Sequence, residues 1–147
     1  MTILRLTADC AGQMAELEAR CFSLPWSERT IRNELNNPVA LYFGAFEDGR
    51  LAGYAGAQII LDEGHITNIA TAPEQRRRGI AGALLRELLS AAGARGVRFA
   101  MLEARESNTA ARALYEKFGF EVVGRRKGYY EKPPEDAILM TKTIGCL

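Results

Sequence analysis

Residues Asn68 to Leu85 constrain the fold more than any other stretch. An apolar run, Asn68-Ile69-Ala70-Thr71-Ala72, ends at Pro73. A basic turn, Arg76-Arg77-Arg78, leads to Gly79, and Ile80 opens a run rich in alanine and leucine. That order reads as strand, turn, helix. The first turn of a helix carries unpartnered N–H groups and the positive end of the dipole. Small residues at Gly79, Ala81 and Gly82 let a phosphate approach those groups, and the arginines attract it. An ordinary solvated loop would also accommodate these residues. Two other phosphate motifs are excluded. No Gly-Lys-Ser/Thr is present, so this is not a P-loop, and Gly79-x-Ala81-Gly82 does not have the dinucleotide spacing.

The 147 residues are enough for one domain with a real core, and residues 1–147 are read as that single domain. Nineteen basic against eighteen acidic residues leave a net charge of +1, which argues against a strongly electrostatic nucleic-acid binder. The N-terminus lacks a signal-peptide layout, and the apolar run Leu51 to Leu61 is broken by Gly53, Gly56 and Gln58. Neither nucleic acid nor membrane is therefore an expected partner. Cys10, Cys21 and Cys146 are scattered, with neither metal-ligand spacing nor a disulfide framework. With His65 as the one histidine, no metal is expected, and the pattern favours a cytoplasmic home.

Taken in order, Thr2 to Leu6 predicts a strand. Asp9 is a candidate cap for a helix from Cys10 to Phe22, with Met14, Leu17 and Cys21 on one face. Ser27 caps a short helix to Asn36, and Pro38 stops it. Strands follow over Val39 to Phe46 and Leu51 to Leu61, joined at Asp48-Gly49 by a type I′ turn. A turn at Asp62-Glu63-Gly64 precedes a strand from His65 to Thr71. A helix from Gly79 to Ala94 ends at Gly96. Val97 to Ala104 is a strand, and Asn108 starts a helix to Phe118. Phe120 to Val123 and Ala137 to Thr143 close the chain as strands, with Gly124 to Asp136 an exposed hairpin or loop. The class is mixed α/β.

Two side chains stand out chemically. In the strand from Val97, Glu103 shares a face with Val97, Phe99 and Met101, so a carboxylate ends an apolar row. Partial burial there would raise its pKa and suit it to act as a base. A strand-end glutamate in solvent is the alternative, and Glu106, Glu63 and Asp62 are rival carboxylates. Tyr115 joins Ala111, Leu114 and Phe118 on one helix face. It is either core packing or a hydroxyl at a pocket edge able to donate a proton. Trp26, Tyr129 and Tyr130 are candidate walls for an acceptor substrate. His65 is expected to pack or reach solvent.

The string Arg76-x-x-Gly79-x-Ala81 after a strand resembles the acetyl-coenzyme A signature of the GNAT superfamily of N-acetyltransferases. Asn108-x-x-Ala111-x-x-Leu114-Tyr115-x-x-x-Gly119-Phe120 matches the second signature, in the right order and spacing. Phe22-Ser23-Leu24-Pro25-Trp26-Ser27, Asn68-Ile69-Ala70, Leu102-Glu103, Tyr129-Tyr130 and Glu135 to Met140 look like the RimI group. Its members acetylate the N-terminal alanine of a small-subunit ribosomal protein. The resemblance covers nearly the whole chain.

The resemblance implies a GNAT acyl-CoA N-acyltransferase fold. That is a mixed, mostly antiparallel sheet splayed in the middle and flanked by about four helices. It implies acetyl-CoA as co-substrate and a protein N-terminal peptide as acceptor; the sequence does not fix the oligomeric state, and a monomer is favoured. Carried over by position, Ile69, Ala70 and Thr71 offer strand backbone to the pantetheine arm. Arg76, Arg77, Arg78, Gly79, Ile80, Ala81 and Gly82 hold the pyrophosphate. Asn108 hydrogen-bonds the co-substrate, Glu103 is the general base and Tyr115 the general acid. Lysine side chains or small amines are alternative acceptors, and a non-catalytic acetyl-CoA-binding module is the reading from another class.

Overall fold

Extended apolar runs, continuous in the central strands and alternating at period two over Phe99–Arg105, build one seven-stranded sheet in the computed structural model, which describes residues 1–144. Cys146 lies outside these residues. The strands are β1 (Thr2–Arg5), β2 (Ala40–Glu47), β3 (Arg50–Ile60), β4 (Glu63–Thr71), β5 (Phe99–Arg105), β6 (Glu121–Glu131) and β7 (Pro134–Thr143). Their spatial order is β1-β2-β3-β4-β5-β7-β6. Every pairing is antiparallel except β4 with β5. A helix must carry the chain back between parallel strands, and α3 (Ile80–Ala94) does so. The expected mixed, mostly antiparallel sheet is what forms.

Helices cover both faces. On one, α1 (Ala11–Cys21) and α2 (Glu28–Leu35) pack Met14, Leu17 and Ile31 against Tyr42 and Tyr54. On the other, α3 and α4 (Thr109–Lys117) pack Leu84, Leu85, Leu88 and Tyr115 against Leu102, Ile138 and Met140. Each fully buried leucine contributes about 1.5–3 kcal/mol. Asp48 and Gly49 both have positive φ, as a type I′ turn requires. Ser27 Oγ accepts from Thr30 N, and Asn108 Oδ1 accepts from Ala111 N, so two expected caps form.

Four local expectations need correction. Asp9 does not cap α1. It sits inside a one-turn 3-10 helix, and Cys10 takes the N-cap position without a side-chain bond. The β3–β4 turn falls at Leu61-Asp62, where Leu61 is left-handed, and Glu63-Gly64 already belong to β4. Of the two readings of Gly124 to Asp136 the exposed hairpin forms rather than the loop, and the expected strand bounds at Val123 and Ala137 fall short. β6 and β7 run on through it and pair from Glu131–Pro134 to Glu121–Thr141. Its charged residues conceal the strands because that end of the sheet is wet on both faces. Finally, the buried side of β5 is Ala100, Leu102 and Ala104, so Phe99, Met101 and Glu103 form the more open row.

Candidate active site

A single extra residue opens the sheet. Gly56 of β3 pairs with Asn68, but its neighbour Ala57 pairs with Ile66, which leaves Thr67 as a bulge in β4. A bulge puts two consecutive side chains on one face, and both are tied down. Thr67 Oγ1 lies 2.7 Å from the Tyr42 hydroxyl, which donates to Glu34 Oε2 at 2.9 Å. Asn68 Nδ2 donates to Glu18 Oε2 at 2.7 Å. The bend swings β4 off its parallel neighbour, and β4 pairs with β5 only from Glu63–Phe99 to His65–Met101. Beyond that point the strands diverge into a cleft of about 630 Å³. Its walls include Ile66 to Ile69 from β4 and Leu102 to Arg105 from β5.

The predicted backbone ligands divide. Ile69 lines the cleft, while Ala70 is buried and Thr71 lies past its wall. The Thr71 carbonyl already accepts from Arg76 Nε at 3.2 Å. Further along, Arg77 and Gly79 are both left-handed, which turns the chain sharply into α3. Among the described residues, the N–H groups of Arg77 to Gly82 donate no backbone bond, so they remain for an anion. A Cβ at Gly79 would meet nothing, but its φ of +77° disfavours any other residue. A Cβ on Gly82 would make only ordinary contact with Leu114 of α4 and with Phe118 at its C-terminal end. Arg78 is engaged with Gln75 and stands 3.8 Å from Glu47. The arginine triplet and Gly79 to Gly82 lie outside the cleft walls.

Glu103 and Tyr115 both line the cleft, as does Asn108, whose Oδ1 is spent on the α4 cap. Tyr115 is 8% exposed, and burial, then the nearby Tyr130, pushes its pKa up to about 12. It therefore stays protonated at physiological pH and keeps a proton it can give. Glu103 departs from expectation. Its carboxyl lies below the usual carboxylate range, because His65 Nε2 stands 2.8 Å and 3.1 Å from its two oxygens. Burial opposes that pull and loses, while the Arg126 charge and the Tyr129 hydroxyl add to it. The same contact pushes the His65 pKa up. His65 is thus neither packing nor simply solvated. The parallel register that brings β4 beside β5 makes the pair, and no local signal in the sequence announces it.

Trp26, Tyr129 and Tyr130 line the same cleft from two directions. Trp26 stands on the α1–α2 loop, and its N–H donates to Glu18 Oε1 at 3.1 Å. Glu18, 1% exposed, also accepts from the Tyr54 hydroxyl, and burial raises its pKa. It was missed as a site residue. The available signal was a carboxylate four residues after Met14, inside the apolar stripe of α1. The opposite wall is the β6–β7 hairpin. Arg105 holds it with bonds to the carbonyls of Pro133 (2.8 Å) and Lys132 (3.1 Å), and its guanidinium stacks 4.4 Å from the Tyr130 ring centre. Ser23 Oγ donates to the Lys132 carbonyl at 2.5 Å, which joins the two walls over the cleft. Of the rival carboxylates, Glu106 is half-buried and paired with Arg125.

A profile described as the Acetyltransferase (GNAT) family matches residues 11–120. The chain is 39% identical over 131 residues to the [ribosomal protein bS18]-alanine N-acetyltransferase of Escherichia coli (strain K12), covering 88% of each chain. It is 40% identical over 151 residues to the N-alpha-acetyltransferase RimI of Mycobacterium tuberculosis (strain ATCC 25618 / H37Rv), covering 99% of this chain and 94% of that one. The crystal structure of the Escherichia coli ribosomal-protein-S18-alanine N-acetyltransferase superposes with a TM-score of 0.92 at 36% identity. That match covers 99% of this chain and 95% of the other.

Proposed function

We propose, starting from the fact that this chain belongs to the GNAT family of acetyltransferases, that it acetylates the N-terminal α-amine of a protein, preferably alanine. By analogy with the Escherichia coli relative, the acceptor is a small-subunit ribosomal protein. The observation that carries this reading is the split between β4 and β5, which brings Glu103, Tyr115 and Asn108 into one cleft. The residues present suit acetyl-CoA as co-substrate. Between His65 and Thr71 the β5-facing edge of β4 is free for the pantetheine amides, and the N–H groups of Arg77 to Gly82 are free for the pyrophosphate. Arg76, Arg77 and Arg78 add charge at that end.

The chemistry follows from these positions. An α-ammonium has an unperturbed pKa of roughly 8 and must lose a proton before it can attack. Glu103 takes that proton, directly or through a water. The amine nitrogen then bonds to the acetyl carbon, and main-chain N–H groups near Ile69 face the developing oxyanion. As the C–S bond breaks, Tyr115 donates its proton to the leaving sulfur. Trp26, Tyr129 and Tyr130 form the walls against which the peptide lies.

Tyr115→Phe is expected to lower kcat about 100-fold, the lower end of what a general acid supplies, with KM values little changed. Release of free thiol would be followed, and a full-speed variant would leave Tyr115 as packing only. The same assay tests the function with peptides starting Ala, Ser or Met, lysine peptides and polyamines. Alanine peptides should react fastest, with mass spectrometry finding the acetyl group on the α-amine. Acetyl found only on lysine or on small amines would overturn the assignment. Binding of acetyl-CoA without thiol release would mark a non-catalytic module.

A further inference from the structure

Asn68 and Glu103 stand on opposite lips of the split, on the same face of the sheet. The β5 residues Ala100, Leu102 and Ala104 pack towards α3 and α4, so Glu103 points to the other side. Asn68 reaches that side too, because its amide meets Glu18 of α1. Both residues line the cleft. Glu18 is buried and forms no ion pair among the described residues. Its Oε2 accepts from Asn68 Nδ2 and from the Tyr54 hydroxyl. Asn68 Nδ2 spends its second hydrogen on the Tyr54 hydroxyl oxygen at 3.1 Å. An ionised carboxylate only accepts, so the NH2 side of Asn68 is held against α1 and Oδ1 is turned away from it. Among the described residues, the one buried side-chain polar atom without a partner is Arg112 Nε. Asn68 Oδ1 accepts no hydrogen bond, so it is open, on a residue that walls the cleft.

We propose that Asn68 binds the acceptor amine through Oδ1, and that Glu18 is the positioning residue that aims it. This rests on reading the cleft as an α-amine acetyltransferase site. An α-ammonium carries three N–H bonds. Glu103 takes one proton, which leaves an amine with two N–H bonds and a lone pair. Oδ1 accepts one of those N–H bonds, so the nitrogen cannot spin and its lone pair is held towards the acetyl carbon. The oxygen is neutral, and it orients the amine without a charge that would favour the ammonium form.

Asn68→Ala should raise the KM for an alanine peptide about tenfold, the lower end for a hydrogen bond to a charged group. The KM for acetyl-CoA should stay unchanged, whereas a mere shift of the β4 bulge would raise it. Glu18→Gln tests the aim. The new amide can donate to Asn68, which then turns Oδ1 towards α1 and its NH2 into the cleft. The peptide KM should rise by a similar factor. Combining Glu18→Gln with Asn68→Asp exchanges amide and carboxylate at the same total charge. One oxygen of the new carboxylate accepts from the new amide and the other faces the cleft, so most of the lost peptide affinity should return.

An unchanged peptide KM in Asn68→Ala would overturn the proposal, as would losses that simply add in the double variant. Calorimetric titration of wild type and Asn68→Ala with the alanine peptide, in the presence of coenzyme A, keeps this apart from the assigned function. Weaker binding by the variant supports the contact even if the wild type transfers no acetyl group, in which case the assigned function alone fails. Equal binding by the two, including none by either, overturns the contact whatever the turnover.

Discussion

Glu103→Gln is expected to reduce kcat about 100-fold, at the lower end of what general-base catalysis supplies, and to leave acetyl-CoA affinity unchanged. The amide keeps the shape and one acceptor oxygen but cannot take a proton. Affinity should hold because the free N–H groups proposed for the pyrophosphate run from Arg77 to Gly82, outside the cleft wall that Glu103 forms. The pH behaviour follows from the direction of the shift. Glu103 is lowered from 4.5, so it is ionised throughout the neutral range, and its own protonation removes activity only at lower pH. Any limb between pH 6 and 8 must come from another group. Steady-state rates of thiol release and isothermal titration with coenzyme A check both halves, and an undiminished kcat would remove Glu103 as base.

The same variant should lose a little stability, in a definite window. The raised His65 pKa gives a contribution present below its unfolded value of about 6.5 and lost as pH rises through the folded value. The lowered Glu103 pKa gives one present above its unfolded value of 4.5 and lost as pH falls through the folded value. Both hold together from about pH 4.5 to 6.5, so Glu103→Gln should differ most from wild type there. The His65 side chain is 42% exposed, so solvent screening keeps the difference below about 1 kcal/mol.

Gly56→Ala is expected to destabilise the fold by about 3 kcal/mol, the upper end of ordinary overpacking, and to lower Tm by about 10 °C. A Cβ at Gly56 would lie 2.0–2.3 Å from three atoms of the Tyr42 ring. The ring has nowhere to go. Tyr42 is 1% exposed, lies opposite Gly56 across β2 and β3, and its hydroxyl bridges Glu34 and Thr67. Any movement pulls on Thr67, the bulged residue that bends β4 away from β5. KM for acetyl-CoA should therefore rise along with the loss in Tm. Tyr42→Phe keeps the ring and removes only the bridge, so it should share the KM effect with less of the thermal one. A Gly56→Ala protein melting with wild type would show the ring free to yield.

Much of the chain's architecture is local and was readable as such. Ser27 and Asn108 cap helices because their side-chain oxygens reach N–H groups three residues on. Asp48-Gly49 turns because both positions tolerate positive φ. The two motifs around Gly79 and Tyr115 identify a fold because they carry the chain into α3 and along α4, beside one cleft. Where the reading was wrong, distant neighbours decided. The buried side of β5 depends on which face α3 covers, and the period-two pattern alone assigned Glu103 to the more apolar row. Burial by itself would raise a carboxylate's pKa, and only the neighbour across the sheet reverses the sign.

By itself the sequence determined the order of strands and helices, the glycine turn into α3, and the two residue types suited to move protons. Those follow from backbone propensity and side-chain chemistry within a few residues of each other. Only the tertiary structure decided that Thr67 is the extra residue opening β4, that Glu18 ties the α1–α2 loop to β4, and that His65 backs Glu103. Each of these depends on register and contact between strands far apart in the chain, and pairing energies across a sheet leave no mark on either partner's local sequence.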